Sequence, residues 1–134
     1  MKKILIIITS LLLTMSLTCC NNNKKSAYKD GIYIGEGNMY SEGYDDVTLN
    51  VERGKIVDLV IRHLDNSGKE INYNEWTGVE VNGKTNPNLQ KYRADTIKEV
   101  LDNQSGDITI ISEINDISSN WKVAIEDALE KAKK

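Results

Sequence analysis

Both cysteines of this 134-residue chain stand side by side, Cys19 and Cys20, directly behind an apolar run from Ile4 to Leu17. Everything downstream must therefore fold without a disulfide, a thiolate-held metal or a thiol nucleophile. His63 is the sole histidine, which argues against an imidazole metal site and against a Ser-His-Asp triad. No metal ligands and no catalytic residues are assigned. What remains after the cysteines has the length of one domain.

The first residues form an address. Lys2 and Lys3 give a positive start, and the run that follows is shorter than the roughly 20 residues of a membrane-spanning helix. Leu17-Thr18-Cys19-Cys20 resembles a bacterial lipobox, with Cys20 as the acceptor of diacylglycerol; Cys19 is the alternative. We expect a signal peptide over 1–19, a lipid-anchored tether over 20–27 and a domain over 28–134. The chain would then sit on the extracytoplasmic face of the cell membrane. From Tyr28 onward 13 basic residues face 20 acidic ones, a poor balance for nucleic acid. Lys24 and Lys25 are read as a solvated linker, with contact to anionic lipid as the alternative.

Strand patterns come first. Asp30 to Gly37 reads as a short strand bracketed by glycines, and Val47, Leu49 and Val51 alternate with polar residues. Arg53-Gly54 interrupts, and Lys55 to Leu64 resumes, predicting an antiparallel hairpin. His63 is placed on the Val57, Leu59, Ile61 face as a strand-end residue. Asp65 to Thr85 is a long polar excursion, expected to hold a short hairpin around Val79 to Gly83 and to be anchored by Trp76. Asn86-Pro87 predicts a helix start, followed by a stripe of Leu89, Tyr92, Thr96, Ile97, Val100 and Leu101. Ser105-Gly106 reads as the helix stop and Asp107 to Ser112 as a short buried strand. A second helix, capped by Ser118 or Ser119, would turn Trp121, Ala124, Ile125, Ala128, Leu129 and Ala132 inward. The fold class is α+β, an antiparallel sheet with two helices packed on one face. Glu42, Asp45 and Asp46 are read as a solvated turn, because they lack calcium-loop spacing. Gly35 and Gly37 lack the order of a dinucleotide fingerprint.

Tyr28-Lys29-Asp30-Gly31-Ile32-Tyr33-Ile34-Gly35-Glu36-Gly37 and Arg53-Gly54-Lys55-Ile56-Val57-Asp58, with this order of elements behind a lipoprotein signal, resemble the FMN-binding domain family. That family comprises small domains of membrane-anchored bacterial lipoproteins and flavin-carrying subunits of ion-pumping NADH-quinone reductase and ferredoxin-oxidising complexes. The resemblance implies an FMN site, electron transport and membrane redox partners. It also implies a Ser-Gly-Ala-Thr attachment segment, whose threonine can form a phosphoester to FMN. The equivalent here is Ser112-Glu113-Ile114-Asn115. Asn115 has no hydroxyl, and Glu113 adds negative charge where phosphate would approach, so covalent attachment is not expected. Thr109, four residues after Ser105, is set aside as part of the buried strand.

Two functions follow from the resemblance. One is a redox carrier holding FMN non-covalently, its ring stacked on Tyr33, Tyr40 or Trp76. The other is a degenerate binding or structural lipoprotein that no longer holds flavin. Either is a carrier or binding protein more than a catalyst.

Overall fold

The computed structural model describes residues 27–134; the signal peptide, Cys19, Cys20 and the tether up to Ser26 lie outside the described residues. The architecture is the expected α+β. Strands β1 (Gly31–Glu36), β2 (Tyr44–Glu52) and β3 (Lys55–Leu64) form one antiparallel sheet in that order. Helices α1 (Leu89–Asn103) and α2 (Asn115–Ala132) cover one face, α1 over β3 and α2 over β1 and β2. The excursion carries a 3₁₀ turn at Tyr73–Glu75 and the small expected hairpin, β4 (Glu80–Val81) with β5 (Lys84–Thr85).

Both hairpin turns are two residues long, and both central residues have positive φ: Arg53 and Gly54 at 51° and 72°, Asn82 and Gly83 at 54° and 77°. That geometry matches the right-handed twist of the flanking strands. The β2–β3 register slips between Asn50 and Val51, which lie opposite Asp58 and Ile56. Val57 is the extra residue, so Ile56 and Leu59 both point inward and Val57 is 45% exposed. The bulge takes Val57 off the face expected to hold it with Leu59 and Ile61, because plain alternation does not survive an inserted residue.

Side chains occupy both outer edges of the sheet. On β3, Gln104 behaves as a short strand: its Oε1 accepts from Ile56 N–H at 2.7 Å and its Nε2 donates to Ile56 O at 2.9 Å. Arg93 donates to Ile61 O. On β1, the Asp127 carboxylate accepts from Glu36 N–H and the Lys131 ammonium donates to Ile34 O. Capped edges resist pairing with another chain. They also leave the Asp107–Ile111 segment nothing to join, and it runs without a sheet partner although Ile108 is buried. The expected strand there is absent. Its donors are met locally, Thr109 N–H by the Glu99 carboxylate and Ile111 N–H by Ser118 Oγ.

Both helix starts differ from expectation. Asn88, not Asn86, caps α1 by accepting from Lys91 N–H. Asn86 instead donates to Glu75 O, tying the excursion to the helix entrance. Helix α2 begins at Asn115, after a 3₁₀ turn at Ser112–Ile114. Ser118 lies inside the first helical turns, fully buried. The expected cap is absent, and the Ser118 hydroxyl instead accepts from Ile111 N–H and donates to Ile111 O.

The inward stripe of α2 is as expected, with Trp121, Ala124, Ile125 and Ala128 without solvent exposure. Its small residues let the helix lie directly on β1 at Gly35. A Cβ there would fall inside contact distance of Ala124 O and 2.6 Å from Ala128 N. Gly35 is thus a packing glycine, and so is Gly37 just beyond the strand, where a Cβ would fall 2.6 Å from the Asn120 amide. Among the described residues no helix is long and apolar enough to cross a membrane. Gly35→Ala should move α2 off the sheet and lower stability by about 3 kcal/mol, the upper range for overpacking. Ile32→Ala, at a 70% exposed position of the same strand, should change it by less than about 0.5 kcal/mol. Urea unfolding of both variants checks the difference.

Candidate functional site

Alternation along β2 carries inward past Val47 to Asp45, which is fully buried. Four donors from three parts of the chain, the β1–β2 loop, β3 and α2, meet its carboxylate. His63 Nδ1 donates to Oδ1 at 2.7 Å and Trp121 Nε1 to the same oxygen at 3.0 Å. Asn120 Nδ2 donates to Oδ2 at 2.7 Å, and the Tyr40 hydroxyl to Oδ2 at 3.1 Å. Burial, reinforced by the neighbouring Asp45 charge, pushes the Tyr40 phenol far above its ordinary range, so it stays a donor. Asn120 also closes a two-way bond with the Asn38 backbone, accepting at 2.6 Å and donating at 3.0 Å. Beside this hub, Asp46 takes a two-pronged contact from Arg62. The expected solvated turn is corrected: Asp45 and Asp46 belong to the folded interior and its margin, and only Glu42 is exposed.

The hub positions the walls of a cleft. Tyr40 fixes the β1–β2 loop that carries Glu42. On the other side His63 N–H donates to the Tyr73 hydroxyl at 2.8 Å, and the His63 ring meets the Trp76 ring edge-on at 6.4 Å between centroids. Arg93 stacks over Tyr73 at 3.6 Å. The excursion is therefore held from beneath. The cleft that results has a volume of about 480 Å³, within the span of small-molecule sites, and runs from Trp76, Lys84, Asn86 and Pro87 to Ser112–Ile117, with Glu42 at its rim.

Sequence reasoning named Trp76 and Ser112-Glu113-Ile114-Asn115 separately, and the fold brings them together in this cleft. Tyr33 is elsewhere: its hydroxyl donates to Lys29 O at the far end of β1. Tyr40 faces a smaller neighbouring hollow with Asn120 and Asp116. Thr109 is exposed and not part of a buried strand, but its hydroxyl donates to Glu99 away from the cleft. Cys20 and Cys19 lie outside the described residues. The hub itself escaped the sequence reading, although its signal was present. Extending the β2 alternation by two residues puts Asp45 on the Val47, Leu49, Val51 face, opposite His63 across the ladder.

FMN would bring a three-ring apolar system and a dianionic phosphate. Trp76, Pro87, Ile114 and Ile117 offer a surface for the ring. The phosphate end does not match. Glu42, Glu113 and Asp116 outnumber the single cation, Lys84. Asp116 sits in the first turn of α2, where it offsets the positive end of the helix. The Asn115 amide donates to Asp116. Glu113 accepts from the Tyr92 hydroxyl, and that bond holds the phenol above its ordinary range. Among the described residues no group of three His, Cys, Asp or Glu side chains could hold a metal ion.

No family model matches the chain, and no curated protein matches it. Solved structures do match. The CPE2226 protein from Clostridium perfringens aligns over 78% of this chain and 88% of its own, at 22% identity and a TM-score of 0.62. A protein from Clostridium thermocellum, solved in solution, aligns over 79% of this chain and 93% of its own, at 20% identity and a TM-score of 0.53. At such identities the likeness concerns the fold alone.

Replacing Asp45 by Asn puts an amide donor among four donors. The structure should lose roughly 2–4 kcal/mol, the cost of one or two buried donors left unmet. Asp46→Asn, beside a half-exposed Arg62, should lose less than about 1 kcal/mol. Chemical denaturation of the two variants checks the contrast.

Proposed function

We propose that this chain is a lipid-anchored extracytoplasmic lipoprotein of the binding class, tethered through Cys20, whose Trp76 cleft takes a flat ring ligand lacking a phosphate. One observation carries this reading: the cleft joins an indole and apolar walls to three carboxylates and one lysine. A ring stacked on Trp76 gains apolar contact, whereas a dianion entering the same space meets like charge with little compensation. The segment that resembles a flavin-attachment site borders the cleft and carries the wrong chemistry for a phosphate. This supports a degenerate relative of the FMN-binding domains that has kept the fold and a ring-binding surface.

A second reading, FMN held non-covalently for electron transfer near the membrane, draws on the meeting of Trp76 with Ser112–Asn115 in one cleft. Riboflavin and FMN differ by the phosphate alone and separate the two. Trp121 is fully buried, so quenching by an added ring reports mainly on Trp76. The first reading expects riboflavin to quench at concentrations at least tenfold below those needed for FMN, about 1.4 kcal/mol. It also expects the combined change of Glu42→Gln, Glu113→Gln and Asp116→Asn to bring FMN level. Tighter binding of FMN than riboflavin by the unaltered protein, or a purified protein already yellow with acid-releasable FMN, establishes the second reading. Absence of quenching by either removes the ring site.

The anchor has its own check. Cys20→Ser should abolish lipid labelling and membrane retention in the expressing bacterium. Labelling lost only in Cys19→Ser moves the acceptor by one residue.

A further inference from the structure

The two ends of the domain differ in charge, and the chain enters at the more basic one. Tyr28 bridges to Lys133 at the C-terminus of α2, and Lys29 N–H donates to Ala132 O. The Asp30 carboxylate accepts from Gly54 N–H at 2.8 Å, which brings the β2–β3 turn to the same place. Lys29, Arg53, Lys55, Lys131, Lys133 and Lys134 therefore gather around the point of entry. The acids that share this end are largely engaged. Asp30 is committed to the Gly54 and Arg53 backbone, which holds its carboxyl below the ordinary range. Glu130 pairs with Lys133, Asp127 with Lys131, Glu126 with Lys122 and Asp102 with Lys98, and Glu52 accepts from the Asn50 amide. Lys29, Arg53 and Lys55 are exposed and enter none of the ion pairs found among the described residues.

The opposite end is acidic. The N-terminus of α2 stands there with Glu42, Glu113 and Asp116, and the excursion adds Asp65, Glu70, Glu75 and Glu80. The 18 residues of α2 separate the two ends by about 27 Å at 1.5 Å per residue.

We propose that the entry end, through Lys29, Arg53 and Lys55, is a docking surface for the anionic headgroups of the bilayer, which orients the domain with α2 upright and the Trp76 cleft facing away from the membrane. The proposal rests on the lipid anchor proposed above, since it is the anchor that confines this end near the headgroups. Basic side chains there gain attraction from anionic lipid, while the acidic end is repelled, so both halves of the charge distribution favour the same orientation. An unoriented domain would bring the cleft against the bilayer for part of the time.

The test uses the mature lipidated protein on vesicles of phosphatidylcholine alone, or of phosphatidylcholine mixed with phosphatidylglycerol, pulsed with an amine-acylating reagent and read by peptide mass spectrometry. Lys29 and Lys55 should be acylated at least about threefold more slowly on the anionic vesicles, with Lys84 and Lys91 unchanged. The protection should vanish in about 0.5 M salt, where screening acts within a few ångströms. Arg53→Gln with Lys55→Gln should remove it at Lys29. Equal reactivity of Lys29 and Lys55 on both vesicles, with the protein retained on each, overturns the docking and leaves the anchor standing. Failure of the protein to stay on neutral vesicles, or retention unaffected by Cys20→Ser, overturns the anchor and the docking with it.

Discussion

A carboxylate without access to water can persist in a fold only if donors replace the water it has lost, and Asp45 has four of them. They come from three parts of the chain: Tyr40 from the β1–β2 loop, His63 from β3, and Asn120 and Trp121 from consecutive positions of α2. The arrangement joins the loop, the sheet and the helix at one point. Apolar packing alone is tolerant of sliding, because one aliphatic contact is much like another. Four directed bonds on two oxygen atoms are not. The hub thereby sets where α2 begins relative to the sheet, and hence where Asn115, Asp116 and Ile117 stand.

The cleft inherits that rigidity. Its floor and one wall are the first turn of α2, its rim is the Glu42 loop held by Tyr40, and its aromatic wall is Trp76, which leans edge-on against the His63 ring. The excursion from Asp65 to Thr85 has little apolar content of its own, yet it is pinned by Tyr73 under the Arg93 guanidinium and by the bonds of Asn86. A binding surface carried by a loop is thus fixed from the scaffold below, the usual division of labour between loops and rigid elements. Three acids around one lysine then decide what charge such a surface can take.

The same helix also organises the molecule electrostatically. Its N-terminus lies at the acidic cleft and its C-terminus, rich in lysine, lies beside the entering chain. Positive side chains suit the negative end of the helix dipole. Asp116 suits the positive end, and its cost to anion binding follows from the same placement.

Local pattern alone reached a good part of this protein. The hairpin across Arg53-Gly54, the stripes of α1 and α2, the small second hairpin and the α+β class all follow from periodicity and turn chemistry, which depend on neighbours a few residues apart. The meeting of Trp76 with Ser112–Asn115 does not, since residues nearly forty positions apart become neighbours only through the packing of α2 on the sheet. Other features were decided by occupancy. Asp107–Ile111 has the composition of a strand, but Gln104, Arg93, Asp127 and Lys131 already hold the exposed edges, so no ladder is open to it. Val57 turned outward because a bulge shifted the register, and Asp45 turned inward because donors distant in sequence were waiting for it. Sequence determines which faces are apolar and where the chain can turn. Which polar groups may be buried, and which charges share a cleft, depends on partners that only the tertiary structure supplies, because a buried charge is tolerated solely where its hydrogen bonds are completed.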